Sequence, residues 1–138
     1  MRGDYVRILV TGSRAWDDWQ AVYRALNELC DTHGLNYPPD EYGNTMPDPS
    51  RVTVVHGACP KGADHWADQW CVGNFLTAER HPADWDRYGK RAGFVRNAEM
   101  VRLGADVCLA FIKDYSKGAT MTRTLARDAG IPTITYLA

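Results

Sequence analysis

The stretch VCLAFI, residues 107–112, decides the fold because it joins six apolar residues without a polar break. A strand with one face in water alternates apolar and polar residues, whereas a strand covered on both faces is apolar throughout. The run is short, as strands are, and Gly104 closely precedes it. It therefore predicts a strand buried on both faces, as in α/β proteins.

Other apolar stretches on either side of this run alternate with helical patterns. The further predicted strands are residues 6–10 (VRILV), 51–56 (RVTVVH), 75–80 (FLTAER) and 131–137 (IPTITYL). The predicted helices are residues 19–30, a second helix that begins over 65–71, a longer one over about 86–103, and a last one over 120–129. This order predicts an α/β fold with an open, mainly parallel five-stranded sheet and helices on both faces. In such sheets, ligands bind beside the carboxyl ends of the strands.

Chain length and composition indicate one domain. The 138 residues, with 45% hydrophobic and 24% charged side chains, match an ordinary globular domain of about 150 residues. We therefore assign residues 1–138 to a single domain. Residues 36–51 (NYPPDEYGNTMPDPSR) hold four of the seven prolines, which predicts a surface insertion within that domain.

Charge and cysteine content argue against several classes of protein. Sixteen Lys and Arg against seventeen Asp and Glu leave a net charge of −1, so direct binding of nucleic acid is not expected. No apolar run is long enough to span a membrane, and the first residues lack a signal-peptide pattern, so we expect a cytoplasmic protein. The four cysteines form no CxxC pair, so no zinc site is expected. We expect no other metal and no cofactor.

Glycine-containing loops follow three of the predicted strands: VTGSRAWDD (10–18), VVHGACPKGAD (54–64) and FIKDYSKGATMT (111–122). Parallel strands bring the three loops to one edge of the sheet. Glycine lets backbone N–H groups approach a ligand, and the helix that follows adds unpaired N–H groups and a partial positive charge. The loops therefore predict a phosphate site, although none contains a Walker A or GxGxxG motif. The loop residues assigned to it are Gly12, Ser13, Arg14, Gly57, Lys61, Gly62, Ala63, Asp64, Ser116, Lys117, Gly118 and Thr120.

The predicted helix before the apolar run is locally basic. Residues 80–102 contain six Lys and Arg and three acids, whereas residues 31–50 contain four acids and no Lys or Arg. The helical period predicts a buried stripe of Phe94, Val95, Ala98 and Val101 and leaves Arg96 off that stripe. A guanidinium there can bind phosphate as a planar fork, so Arg96 and its neighbour Asn97 join the predicted site.

The tryptophans have structural and functional interpretations. Trp16 and Trp85 follow turns and either stack on a base or pack half-buried, which is the commoner role. Trp66 and Trp70 lie one helical turn apart and pack against either the sheet or a partner.

Three polar residues of the second loop region also have two interpretations. His56 ends a strand and either faces the site or forms local hydrogen bonds. Asp64 begins a helix, where an N-cap role is commoner than a role as general base. Cys59 is either a reactive thiol near a helix start or a small turn residue.

Four motifs, in this order, resemble the YpsA-related branch of the SLOG superfamily. They are VTGSRAWDD (10–18), VHGACPKGADHWADQW (55–70), HPADWDRYGKRAGFVRNAEM (81–100) and GADVCLAFIKDYSKGATMTRTLARDAGIP (104–132). The resemblance covers nearly the whole chain apart from the proline-rich insertion. It implies a Rossmann-like domain that binds a nucleotide or nucleotide-derived ligand, in bacteria or their phages.

LOG enzymes of this superfamily cleave a nucleoside 5′-monophosphate to the free base and ribose 5-phosphate. Their RKxxM segment is similar to RNAEM, residues 96–100, which carries the role of its Arg onto Arg96. Their PGGxGTxxE segment is similar to YSKGATMT, residues 115–122, in which Gly118 fits but Thr122 replaces the catalytic Glu. Glycosidic cleavage needs a carboxylate, so the resemblance transfers the phosphate site without its acid.

Three hypotheses follow. In the first, the protein binds a nucleotide-derived small molecule for sensing or sequestration. In the second, it is a nucleotide N-glycoside hydrolase in which Asp64 or Asp84, with Arg96, replaces the missing acid. In the third, it is a non-catalytic scaffold whose partner surface includes Trp66 and Trp70. Because LOG relatives are dimers, the resemblance implies a homodimer or a higher homo-oligomer.

Overall fold

The computed structural model describes residues 5–138 and contains five strands that all run parallel. The strands are β1 (Val6–Gly12), β2 (Val52–His56), β3 (Glu79–Arg80), β4 (Val107–Ile112) and β5 (Thr133–Leu137). The helices are α1 (Trp19–Thr32), α2 (Gly62–Gly73), α3 (Trp85–Tyr88), α4 (Ala92–Leu103) and α5 (Lys117–Asp128), with a 3-10 turn at Gly89–Arg91.

The strand order is β3-β2-β1-β4-β5, with β1 at the centre. Helices α1 and α2 pack together on one face of the sheet, and α4 and α5 pack together on the other. The chain direction across the sheet therefore reverses between β1 and β4, and the loops after these two strands leave toward opposite faces. This arrangement confirms the predicted Rossmann-like α/β fold with helices on both faces.

The core lies on both sides of the central strands. All six residues of β4 are buried, which confirms the strand predicted from its unbroken apolar run. In β1, Val6, Ile8 and Val10 join the core under α1 and α2, while Leu9 packs on the other side with Met100 of α4. Successive side chains of a strand point to opposite faces, so one strand supplies both halves of the core.

The third strand is shorter than predicted. Only Glu79–Arg80 pairs with β2, so the predicted strand over 75–80 is wrong for its first part. Phe75 adopts a left-handed backbone conformation (φ 59°) and is exposed, whereas Leu76 and Ala78 are buried. Leu76 and Ala78 enter the core from a loop, and their apolar side chains produced the strand-like pattern in the sequence.

The predicted helix over 86–103 is broken. Gly89, with φ 56°, ends α3, and a 3-10 turn then leads into α4 at Ala92. Two other helices, α2 and α5, begin earlier than predicted, at Gly62 and Lys117. Residues 36–51 form no helix or longer strand, and a single bridge joins Asn36 to Pro47.

Ion pairs hold the two-residue strand β3 on the sheet. Arg7 of β1 reaches across β2 and makes two hydrogen bonds of 2.9 Å to the carboxylate of Glu79, which also pairs with His81 at 2.7 Å. Asp68 of α2 pairs in the same way with His56 and Arg80, each at 2.8 Å. These contacts fix the backbone just beyond β3.

Alanine at Gly62 should destabilise the protein more than alanine at Gly34. Both glycines have positive φ, 74° and 64°, so each substitution costs about 1–2 kcal/mol of backbone strain. A methyl group on Gly62 would also lie 2.1 Å from the carbonyl oxygen of Ser13, whereas one on Gly34 meets nothing within 4 Å. Urea unfolding of Gly62→Ala and Gly34→Ala measures the difference, and equal losses would contradict the predicted clash.

The Glu79 carboxylate should make stability depend on pH. The hydrogen bond from Arg7, with a further one from His81, lowers the pKa of Glu79 from 4.5 to about 2. A carboxyl whose folded pKa is lowered stabilises the fold above its ordinary pKa and loses that contribution as pH falls toward 2.

We expect Glu79→Gln to lower the free energy of unfolding at pH 7 by about 1 kcal/mol, because the pair is partly exposed to solvent. The variant should also lose less stability than the wild type between pH 5 and pH 2. Glu41→Gln, at an exposed position in residues 36–51, serves as the control and should follow the wild-type pH profile. If wild type and Glu79→Gln lost the same unfolding free energy between pH 5 and pH 2, Glu79 would not be a source of the acid sensitivity.

Candidate functional site

A cleft of about 460 Å³ lies at the carboxyl edge of the sheet, between the loops that follow β1 and β4. Its volume is within the range of small-molecule sites, and it lies where the strand order reverses. The end of β1 and the loops after β1 and β4 contribute Thr11, Gly12, Ser13, Arg14, Ala15, Lys113, Asp114 and Ser116. The helices, the 3-10 turn and the loop before α2 contribute Cys59, Asp64, Trp85, Lys90, Gly93, Phe94, Arg96, Asn97, Met100, Gly118 and Ala119.

The cleft gathers many, but not all, of the predicted site residues. Eight of them line it: Gly12, Ser13, Arg14, Asp64, Arg96, Asn97, Ser116 and Gly118. Six do not line it: Gly57, Lys61, Gly62, Ala63, Lys117 and Thr120. Lys61 is exposed at the N-cap of α2, and Lys117 and Thr120 line a shallow depression on α5 instead.

The loop glycines allow loops to pack closely, which corrects the reason predicted for them. A methyl group on Gly12 would lie 2.3 Å from Cβ of Ala63 and 2.8 Å from the carbonyl oxygen of Phe111. A methyl group on Gly57 would lie 2.6 Å from Nη1 of Arg96. At these positions, glycine lets one part of the protein approach another.

Ser13 joins the three loops. Its hydroxyl donates to the carbonyl of Lys113 at 2.9 Å and accepts from the Lys113 N–H at 2.8 Å, and its own N–H donates to the carbonyl of Phe111. Its carbonyl accepts from Ala63 N–H at 3.4 Å. Ser13 is therefore a positioning residue, because the hydrogen bonds predicted for phosphate are made within the protein.

Arg96 is half-buried, and its hydrogen-bond partners are all neutral. Its guanidinium donates to the carbonyls of Gly57 and His81 and, at 2.7 Å, to the side-chain oxygen of Asn97. No carboxylate within residues 5–138 lies at ion-pair distance from it. Burial lowers the pKa of Arg96; the nearby Asp64 opposes this shift.

Helix α4 turns a different face inward from the one predicted. Its buried residues are Ala92, Asn97, Met100 and Val101, while Phe94 is 44% exposed in the cleft. The predicted stripe is right at Val101 but wrong at Phe94 and Ala98, which are exposed, because the first turn of α4 borders the cleft instead of the sheet.

Asp64 is a buried carboxyl that lines the cleft. It lies in the first turn of α2, and its Oδ2 accepts from the Cys59 N–H at 3.3 Å. The N-cap residue of α2 is Lys61, so the predicted N-cap role of Asp64 is wrong. Burial raises the pKa of Asp64, against the opposing effects of His56, the Cys59 amide and Arg96. The other carboxylate that lines the cleft, Asp114, is exposed.

Two further titratable candidates lie outside the cleft. Asp84 caps α3 by accepting from the Arg87 N–H at 3.1 Å and lines a neighbouring depression that shares Arg96 with the cleft. His56 is buried: one ring nitrogen contacts Asp68 at 2.8 Å, and the other accepts from the Ala58 N–H at 3.0 Å. The local interpretation of His56 is therefore correct.

Thr122, at the position of the LOG glutamate, does not line the cleft. It is fully buried, and its hydroxyl donates to the carbonyl of Gly118 at 3.0 Å within α5. Its hydroxyl is thus satisfied inside the helix, away from the space where a ligand would bind.

Of the four tryptophans considered from the sequence, three pack in or against the core and one lines the cleft. Trp16 is 4% exposed and packs edge-on against Phe111, so the interpretation that it stacks on a base is wrong. Trp70 is buried and donates to Asn27, and Trp66 packs against the same core, so Trp70 belongs to the sheet and not to a partner surface. Trp85 lines the cleft and is 51% exposed.

Sequence reasoning missed Lys90, Phe94 and Lys113 as cleft residues. Lys113 directly follows the buried strand, and this position was the available signal for it. Lys90 and Phe94 come from the basic segment, but their place in the cleft depends on the break between α3 and α4.

Metal and membrane features are absent from the described part of the chain. Within residues 5–138, no three or more His, Cys, Asp or Glu side chains are grouped so as to hold a metal ion. None of the helices in this range has the length and apolar character needed to cross a membrane.

The sequence matches a family profile and a phage protein. The profile of the YspA, cpYpsA-related SLOG family matches residues 6–88, which run from β1 to α3. Gene 61 protein of Mycobacterium phage D29 is 44% identical over 135 residues, which cover 94% of this chain and 95% of the phage protein. No solved structure matches the chain significantly. The family match and the topology together confirm the predicted resemblance, and the chain belongs to the YspA, cpYpsA-related SLOG family.

Proposed function

We propose that the protein binds a phosphate-bearing nucleotide, or a small molecule derived from one, in the cleft between the loops after β1 and β4. Membership of the SLOG family supports a nucleotide-related function. We propose binding without bond cleavage, because a protein that senses or sequesters a ligand leaves that ligand intact. The homodimer implied by the LOG resemblance stays a prediction.

The observation that carries this proposal is that Arg96, a half-buried cation, forms no ion pair within residues 5–138. A half-buried guanidinium whose partners are neutral oxygens keeps the cost of leaving water without the gain of an ion pair. An anion in the cleft would supply an opposite charge at short range. Protein oxygens already accept from Nε and Nη1 of Arg96, so Nη2 is the donor left for a phosphate oxygen.

Other groups around the cleft favour the same kind of ligand. Arg14, Lys90 and Lys113 add three cations, and Arg14 lies close enough to Arg96 to lower its pKa further through repulsion of like charge. With Arg96, four cations line the cleft against two carboxylates, Asp64 and Asp114, and a cleft with a surplus of one charge attracts a ligand of the opposite charge. Lys113 also pairs with Asp17 at 3.2 Å, so part of its charge is already compensated.

The N-terminus of α5 supplies backbone donors to the cleft. Ser116, Gly118 and Ala119 line the cleft, and the side chain of Ser116 caps Ala119 N–H at 3.4 Å. The Thr120 N–H bonds to the Ser116 carbonyl, whereas the amides of Lys117 and Gly118 have no partner within the helix and carry its partial positive charge. They are suited to phosphate oxygens, as helix N-termini are in many nucleotide sites.

A second candidate function is hydrolysis of an N-glycosidic bond, with Asp64 as the acid. The supporting observation is a buried carboxyl on the cleft wall whose pKa is raised by burial, as in many general acids and bases. Binding without cleavage is the better-supported proposal because the position of the LOG glutamate is Thr122, which is buried away from the cleft.

Arg96→Ala should weaken binding of AMP and ADP-ribose by about tenfold or more, because it removes charge-assisted hydrogen bonds from the cleft. Arg96→Lys should recover only part of the affinity, since lysine keeps the charge without the fork. Titration calorimetry gives the dissociation constants, and the thermal midpoint without ligand checks that each variant folds.

Arg102→Ala is the matched control for this experiment. Arg102 lies on the same helix, is exposed, and pairs with Glu99 at 2.6 Å outside the cleft. The control should bind as the wild type does. Unchanged affinity in folded Arg96→Ala, or an equal loss in Arg102→Ala, would rule out Arg96 as the anion-binding residue.

Incubation with nucleoside monophosphates and ADP-ribose should return the intact compounds, as mass spectrometry can measure. Release of free base by the wild type, lost in Asp64→Asn and kept in Asp84→Asn, would instead establish the hydrolase. The Asp84 control fits because that carboxylate caps α3 outside the cleft.

A further inference from the structure

Two large aromatic side chains remain exposed on one wall of the cleft. Trp85 is 51% exposed and Phe94 is 44% exposed, and both line the same space as Arg96. The other cleft-side tryptophan candidate, Trp16, is buried in the core. Exposed aromatic surface inside a concave site is available for a ligand with a planar ring.

The break between α3 and α4 brings this aromatic wall beside the half-buried Arg96. Gly89 reverses the chain so that α3 packs back on the start of α4. A methyl group on Gly93 would lie 3.8 Å from Cη2 of Trp85 and 3.9 Å from Nη2 of Arg96. The indole and the guanidinium therefore border the same point, and Phe94 follows directly on α4.

We propose that Trp85 and Phe94 form a base subsite, in which a purine stacks on the indole while a phosphate of the same molecule binds near Arg96. This inference rests on the function proposed above and names the part of the ligand that the aromatic wall recognises. An anion site and an aromatic surface that adjoin each other match the two ends of a nucleoside monophosphate. Inorganic phosphate or ribose 5-phosphate would occupy only the first.

Ring area should decide which base binds. Trp85, Gly93 and Phe94 offer ring faces and an open helix surface, and neither carboxylate of the cleft, Asp64 or Asp114, belongs to this wall. Stacking depends on the area of the ring and tolerates different hydrogen-bonding edges. The subsite is therefore expected to prefer purines to pyrimidines and to discriminate weakly between adenine and guanine.

The experiment compares AMP with ribose 5-phosphate, because the two differ only by the base. In the wild type, AMP should bind about tenfold or more tightly than ribose 5-phosphate. Trp85→Leu should remove most of this advantage and leave the affinity for ribose 5-phosphate unchanged, whereas Trp85→Phe should keep part of it. AMP should also change the tryptophan fluorescence of the wild type more than that of Trp85→Phe.

Trp19→Leu is the matched control, since Trp19 is 44% exposed on α1, packs edge-on against Tyr23 and does not line the cleft. It should bind both compounds as the wild type does. Equal wild-type affinities for AMP and ribose 5-phosphate, or an equal loss of both in Trp85→Leu, would overturn the base subsite while leaving phosphate binding intact. Failure of AMP, ribose 5-phosphate and inorganic phosphate to bind the wild type would overturn both proposals.

Discussion

The contact that organises this protein is the one between three loops at the carboxyl edge of the sheet, and Ser13 is at its centre. Its hydroxyl both donates to and accepts from the backbone of Lys113, so the loops after β1 and β4 are joined although they leave toward opposite faces. Gly12 and Gly62 allow the third loop to approach within contact distance. The cleft exists because these loops are fixed to one another, and the side chains that face it are held by that frame.

The positive charge of Arg96 is the main chemical feature of the cleft that these loops form. Its position depends on backbone carbonyls of the segments after β2 and β3, Gly57 and His81. The strand just before His81, β3, has only two paired residues and is held by ion pairs from Arg7 and Asp68. Partly exposed ion pairs contribute little to stability, yet here they fix the backbone that orients a buried cation. These ion pairs therefore matter more for the position of Arg96 than for the stability of the fold.

The chain departs from the LOG pattern at Thr122, and the structure shows where this residue lies. At the position of the catalytic glutamate, Thr122 makes a hydrogen bond to Gly118 inside α5 and has no access to the cleft. The cleft retains a buried carboxyl in Asp64, but this residue belongs to a different helix and closes the loop at Cys59. In this chain the cations of the cleft are therefore present without a carboxylate at the LOG position, which is why we propose binding without cleavage.

The sequence by itself determined the α/β fold with its parallel sheet, and the family, because these depend on local patterns: the apolar run of β4, the alternation of strands and helices, and the motifs around Gly12, Gly57 and Arg96. It failed where one residue's role depends on distant neighbours. The apolar residues before β3 suggested a strand, α4 buried Asn97 and Met100 instead of Phe94, and Trp16 entered the core while Trp85 stayed in the cleft. Only the tertiary structure decided which polar groups remain available to a ligand, since Ser13 uses its hydrogen bonds on another loop and Arg96 finds neutral partners. Periodicity records which side chains avoid water, but whether a hydroxyl or a charge is already satisfied depends on atoms that are far apart in the chain and close together in the fold.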